Sequence, residues 1–180
     1  MNRKLLALMI IALLPLMAFD CITDFSDVTV SLNLAPITAT FPLNSGSGTT
    51  YGGTTPPLDL ASFFDQSYTV TGATLYDITV QTKGEDLGTG SGTVRLTVNN
   101  VTTTLFSYSG AWTAFNTPQS LITSPLITRN PAGVIALTNA VTGRQKVTLS
   151  VVNGTITKAP TTTGTDFIIV SVYVQASGHK

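Results

Sequence analysis

The chain has 180 residues, with one cysteine, one histidine and one tryptophan, and only 10% of its residues are charged. Each scarcity excludes a chemistry. A single Cys21 cannot form an internal disulfide framework. The sole histidine, His179, precedes the C-terminal Lys180. Neither a Ser-His-Asp nor a Cys-His arrangement then has a firmly held imidazole, and zinc lacks the several His or Cys ligands it takes. Lys plus Arg and Asp plus Glu each number 9, a formal net charge of +0. No clustered basic surface of the kind that holds nucleic acid is present. The segment "GTGSG", with Gly88, Gly90 and Gly92, is followed by neither Lys-Ser/Thr nor a helix start, so it is no phosphate loop and reads as a flexible hairpin tip. The expectation is a protein that is not an enzyme, with no cofactor and no metal.

What is abundant comes next. Met1-Asn2-Arg3-Lys4 precedes an apolar run from Leu5 to Phe19. A basic tip before a short apolar stretch has the form of a secretory signal. Crossing a bilayer takes roughly 20 apolar residues, whereas this run is shorter and contains Pro15. Residues 1–20 are expected to be a signal peptide and 21–180 one exported domain, since roughly 160 residues suit a single core.

Cys21 follows the run directly, in "MAFDCI". In that position it resembles the acylated cysteine of bacterial lipoproteins. The family's recognition box usually has a branched apolar residue three places before the cysteine and small residues in between, where this chain has Ala18, Phe19 and Asp20. The resemblance implies lipidation of Cys21, a membrane partner through that lipid, and a place in the cell envelope. A secreted product is the alternative.

Thr, Ser, Gly and Val take the places that charge would fill, a bias toward strands and turns. Period-two alternation marks Val28, Val30, Leu32 and Leu34, then Ile37, Ala39, Phe41 and Leu43, with Pro42 suited to a sheet edge. "NSGSGTTYGGTTPP" reads as a long surface loop. "LDLASFF" reads as a helical turn or an irregular plug on the core. "VTGATLYDITVQTKG" changes phase near Leu75-Tyr76, with Gly72 marking a bulge and Tyr76, Ile78 and Val80 on one face. It is expected to form a hairpin with "TVRLTVNN". "VTTTLFSYSGAW" is another strand, and "KVTLSVVNGTIT" slips phase near Asn153-Gly154. "DFIIVSVYVQA" is apolar on both faces, as a central strand with a covered outer side would be.

One segment differs. In "RNPAGVIALTNAVTGR", Asn130 can cap, Pro131 suits the first helical position and Gly143 the exit, which predicts one helix over 131–142. The fold class expected is all-β: an antiparallel β-sandwich, immunoglobulin-like in general architecture, of about seven or eight strands with that short helix. A β-barrel is the alternative.

Binding candidates are aromatic. "FSYSGAWTAF" sets Tyr108, Trp112 and Phe115 around Gly110, where an exposed platform stacks on sugar rings; packing of the sole Trp into the core is the competing reading. Tyr51, among glycines, is open to the same two readings. Glu85 and Asp86 are weighed as calcium ligands with loop carbonyls, although the alternating oxygen ligands of an EF-hand are absent. A pair of carboxylates acting as a glycosidase has no signature here. The function expected is a non-catalytic cell-envelope lipoprotein with a structural or interaction role toward an envelope protein or glycan. The alternative is a carbohydrate-binding or adhesin-like module built on the Trp112 loop.

Overall fold

Alternating side chains decide where this chain extends. A computed structural model describes residues 29–43, 48–162 and 164–179; the expected signal peptide and Cys21 lie outside them. Ile37–Leu43 (β2) buries every second residue, as a strand with one face on a core must. Asp166–His179 (β11) does the same through Ile168, Val170, Val172 and Val174. Between them run Thr50–Thr54 (β3), Leu58–Asp59 (β4), Thr69–Lys83 (β5), Thr89–Val98 (β6), Val101–Ala111 (β7), Gln119–Ser120 (β8), Ile127–Arg129 (β9) and Lys146–Ile156 (β10). Val30–Asn33 (β1) precedes them.

The strands form two antiparallel sheets. In the first, β1 and β2 lie one after the other along one edge of β11, β11 pairs with β5, and β5 with β8. In the second, β3 and β4 lie along β10, followed by β6, β7 and β9. No ladder among the described residues joins the two, so the layers are a sandwich and not a closed barrel. Their inner faces supply one core, with Phe41, Ile78, Val80, Leu96, Phe106, Leu149 and Val170 all buried.

The helix stands where the capping residues place it, at Pro131–Thr142 (α1). The Asn130 side chain accepts from the backbone N–H of Ala132 at 3.0 Å and of Gly133 at 3.4 Å, and Pro131 opens the first turn. Gly133 lies so close to the Thr104 carbonyl and the Leu105 Cα of β7 that no side chain fits there.

Several expectations are corrected. The described residues hold eleven strands, because β4, β8 and β9 are pieces of two or three residues and β3 runs through the expected loop. The glycines read there as loop formers serve close packing: a Cβ on Gly52 would sit 2.9 Å from the Val151 carbonyl oxygen. β5 and β6 make no hairpin, since they belong to different sheets. The hairpin is β6–β7, turned by Asn99 and Asn100 with φ of 49° and 65°, the left-handed pair of a type I′ turn. β1 is exposed rather than half-buried, with Val30 and Leu32 at 42% and 37%. The helix packs chiefly on β5 and β7, bridging the two sheets. The expected helical turn is present, as a short 3-10 turn at Leu60–Phe63 that seats Leu60 in the core.

Both phase slips are real. Opposite Tyr173 and Val174, β5 offers Asp77 and Leu75, so Tyr76 is the extra residue of a bulge. A second bulge in β5 leaves out Thr71, beside Gly72. In β10 the break falls at Asn153, whose φ is 52°.

Candidate functional site

The aromatic loop is not an exposed platform. Trp112, Tyr108 and Phe115 retain 1%, 3% and 1% of their surface, and a ring must be accessible to stack on a ligand. The cause lies in β6, where the supposed flexible tip is mostly strand. Gly90 and Gly92 face the core, and the space their missing side chains leave is filled by the Trp112 ring and the Tyr108 phenol. Gly88 alone turns, at φ +82°. Tyr108 and Phe115 meet edge to face at 5.9 Å between centroids, and Tyr51 and Trp112 at 6.5 Å.

A polar pair is embedded in this cluster. The Tyr51 hydroxyl donates to the Ser91 carbonyl at 2.6 Å and receives the Tyr108 hydroxyl at 2.8 Å. Burial pushes the Tyr51 phenol up to about 12, opposed by the hydrogen bond from Tyr108. Burial likewise raises Tyr108 well above its usual value, with Tyr51 adding to the effect. Both phenols stay neutral and act as struts.

The carboxylates weighed for calcium are occupied in tying loops. Glu85 accepts from the Thr161 backbone N–H at 2.6 Å, the Thr161 hydroxyl, and the Thr162 N–H at 3.3 Å. Those donors, the Thr161 amide first, hold Glu85 below the usual carboxylate range. Asp86 is lowered chiefly by the Gly88 N–H at 2.9 Å, then by Lys158 at 3.5 Å. The buried Asp166 accepts from the Glu85 N–H at 2.7 Å. No group of three or more metal-capable side chains stands together among the described residues. His179 closes β11 opposite Thr69.

Accessible aromatic surface lies on the outer face of the first sheet. Phe167, Ile169, Ser171 and Tyr173 alternate with the buried residues of β11 and are half-buried. Most of their cross-strand neighbours are polar: Lys83 and Pro42 flank Phe167, Thr40 and Gln81 flank Ile169, Thr38 and Thr79 flank Ser171, and Asp77 stands opposite Tyr173. The bulge turns Tyr76 out of the core phase. Its ring is 46% exposed and lies 5.7 Å from that of Tyr173, tilted by 50°. Beyond them, Gln175 donates to Asn33 at 3.2 Å.

Tyr76 also forms one wall of a cleft of about 510 Å³ where the β8 and β9 edges of the two sheets part. Leu121 and Ile122 stand beside it, the latter 69% exposed, and Leu75, Ile127, Thr128 and Arg129 complete the lining. The phase change at Leu75-Tyr76 is the one sequence signal that marks this place.

No family model matches the chain, and no curated protein matches it. A solved chain described as Desmodium yellow mottle tymovirus is similar over 86% of this chain and 84% of that one, at 11% identity and a TM-score of 0.36. A likeness that faint carries no argument about function.

Proposed function

We propose that the chain is an exported, non-catalytic interaction module of the cell envelope, and that it binds glycan on the face carrying Tyr76 and Tyr173. The observation that carries the reading is the tilted tyrosine pair at a β-bulge, Tyr76 exposed and Tyr173 half-buried. Bulges re-aim side chains at functional positions. The two rings present apolar surface to the C–H faces of a sugar, while Asp77 opposite Tyr173, with Thr79 and Asn33 beside the next outward positions Ser171 and Gln175, offers polar groups to its hydroxyls. The rings proposed for the carbohydrate-binding alternative are thus Tyr76 and Tyr173 and not the buried Trp112 cluster. The same proposal takes the sandwich to be immunoglobulin-like in general architecture.

The envelope part of the reading rests on the basic tip, the apolar run and Cys21. Two acyl chains on one N-terminus hold a domain to a bilayer durably, whereas one is marginal. Mass spectrometry of the mature N-terminus tests it: an acylated Cys21 is expected, and an unmodified thiol removes the lipid anchor and leaves a secreted protein. Affinity electrophoresis in gels cast with a panel of neutral and acidic polysaccharides tests the binding face. At least one polymer is expected to retard the protein, and Tyr76→Ala with Tyr173→Ala to abolish the retardation while the protein still melts in one cooperative transition. Retardation that survives both substitutions places binding elsewhere.

A further inference from the structure

The geometry points to the free edge of β2 as the surface on which a second copy of this chain docks, strand to strand about a two-fold axis at Ala39. Hydrogen-bond direction carries the first step. The Leu34 N–H donates to the Val174 carbonyl at 3.1 Å, so Val174 and every second residue of β11 turn their backbone groups toward the β1–β2 edge. Along β2 these are Val172, Val170 and Ile168, opposite Ile37, Ala39 and Phe41. The N–H and C=O groups of Thr38 and Thr40 therefore point away from β11, and no ladder takes them up among the described residues. Pro42 faces the same way and has no N–H to offer, which an outward position on an edge strand allows.

Free backbone groups on an edge invite pairing, and charge is a usual guard against it. The β9 edge carries Arg129, but no charged residue stands between Asp27 and Asp59. The prolines leave a short window. Pro36 and Pro42 lie equally far from Ala39 on either side, and neither has an N–H. An antiparallel copy centred on Ala39 sets Thr38 against Thr40 of the copy, and Thr40 against its Thr38. Both free donors and both free acceptors of each chain are then satisfied, and each Pro36 lies opposite a Pro42, where no N–H is called for. A register centred on Thr40 instead sets Thr38 against Pro42 and leaves the Thr38 carbonyl without a donor.

Backbone bonds alone do not choose a copy over another strand. The surfaces beside them favour one. On the inner side of β2 a groove of about 360 Å³ opens between the sheets, walled by Ile37, Ala39, Pro56, Pro57, Leu58 and Leu149. The two-fold sets both grooves side by side at the axis, so that the apolar walls of each cover those of the other. On the outer side, the exposed Thr38 and Thr40 meet as cross-strand hydroxyl pairs. A copy also brings no like charge to this edge. An axis normal to the sheet keeps both outer faces on one side, with two Tyr76–Tyr173 pairs in one continuous sheet, although pairing does not depend on what that face binds. The competing account is that Pro36 and Pro42 suffice to keep the edge unpaired.

Sedimentation velocity from micromolar to near-millimolar concentration decides between them, on purified protein carrying Cys21→Ser so that neither a lipid nor the native thiol contributes. A monomer–dimer equilibrium is expected. Thr40→Pro removes an outward N–H from each copy, as Pro42 already does at its own position, and is expected to weaken dimerisation about tenfold or more while the chain still unfolds cooperatively. Ala39→Cys tests the register, because residues facing each other in a non-hydrogen-bonded pair have Cα atoms about 4.5 Å apart, within reach of a disulfide. Mild oxidation is expected to cross-link that variant and to leave the control Thr102→Cys, exposed on β7, unlinked. A chain that stays monomeric throughout overturns the inference. So does dimerisation that survives Thr40→Pro, or an Ala39→Cys variant that cross-links no better than the control. If Thr40→Pro fails to fold, the cross-link decides alone. Every result is read without a glycan, so the binding proposal stands or falls separately.

Discussion

Gly92 and Tyr108 face each other across β6 and β7, and a methyl group on Gly92 would lie 2.6 Å from the Tyr108 hydroxyl oxygen. Strand propensity alone favours replacing a glycine inside β6. Packing reverses the sign. Gly92→Ala must displace a phenol that is itself hydrogen-bonded to Tyr51, and overpacking of this kind costs roughly 1–3 kcal/mol. A fall in the urea midpoint with an unchanged slope is the expected result; an unchanged midpoint would show that the ring has room to move.

The Tyr51–Tyr108 pair makes stability depend on alkaline pH. Folding raises the Tyr51 phenol from 10.0 to about 12, so the fold favours its neutral form. The contribution is complete below pH about 10, the unfolded value, and is lost as pH rises through the folded value near 12. A two-unit shift corresponds to roughly 2–3 kcal/mol. Tyr51→Phe is expected to destabilise at pH 7 and to flatten the decline of the thermal midpoint above pH about 10. Titration of phenolate absorbance checks the assignment: Tyr51 and Tyr108 should ionise last, together with unfolding.

Signals that act within a few residues were legible in the sequence. Asn130, Pro131 and Gly143 bound the helix without reference to the rest of the chain, and the alternation in Ile37–Leu43 and Asp166–His179 marks strands by itself. Features that depend on a distant partner were not. The partners of Gly52, Gly90 and Gly92 are Val151, Trp112 and Tyr108. Without them, a glycine that admits a ring is indistinguishable from one that loosens a loop. The same blindness moved the site. The break at Leu75-Tyr76 was visible, but which way Tyr76 turns depends on the register with Tyr173.

Asn130 has a measurable role because α1 carries no acidic residue in its first turn to help the cap. Its side chain serves two otherwise unpaired N–H groups. Asn130→Ala is expected to cost about 1 kcal/mol, and Asn130→Asp to be neutral or better because a carboxylate also favours the helix start. Hydrogen exchange should report the loss first at Ala132 and Gly133; uniform loosening of the sheets instead would assign Asn130 a wider role.

Trp112 and Tyr76 separate stability from binding. Trp112 is 1% exposed and Tyr76 46%, so truncation acts on different quantities. Trp112→Ala empties a large core volume and is expected to cost about 3–5 kcal/mol. Tyr76→Ala gives up only a tilted ring contact with Tyr173, worth about 1 kcal/mol or less. Intrinsic fluorescence provides the control, because Trp112 is the only tryptophan. Its emission should be blue in the native protein, unmoved by saturating polysaccharide, and shifted to the red only on unfolding. A ligand-induced shift in the folded protein would bring the Trp112 loop back into the binding surface and count against the Tyr76–Tyr173 face.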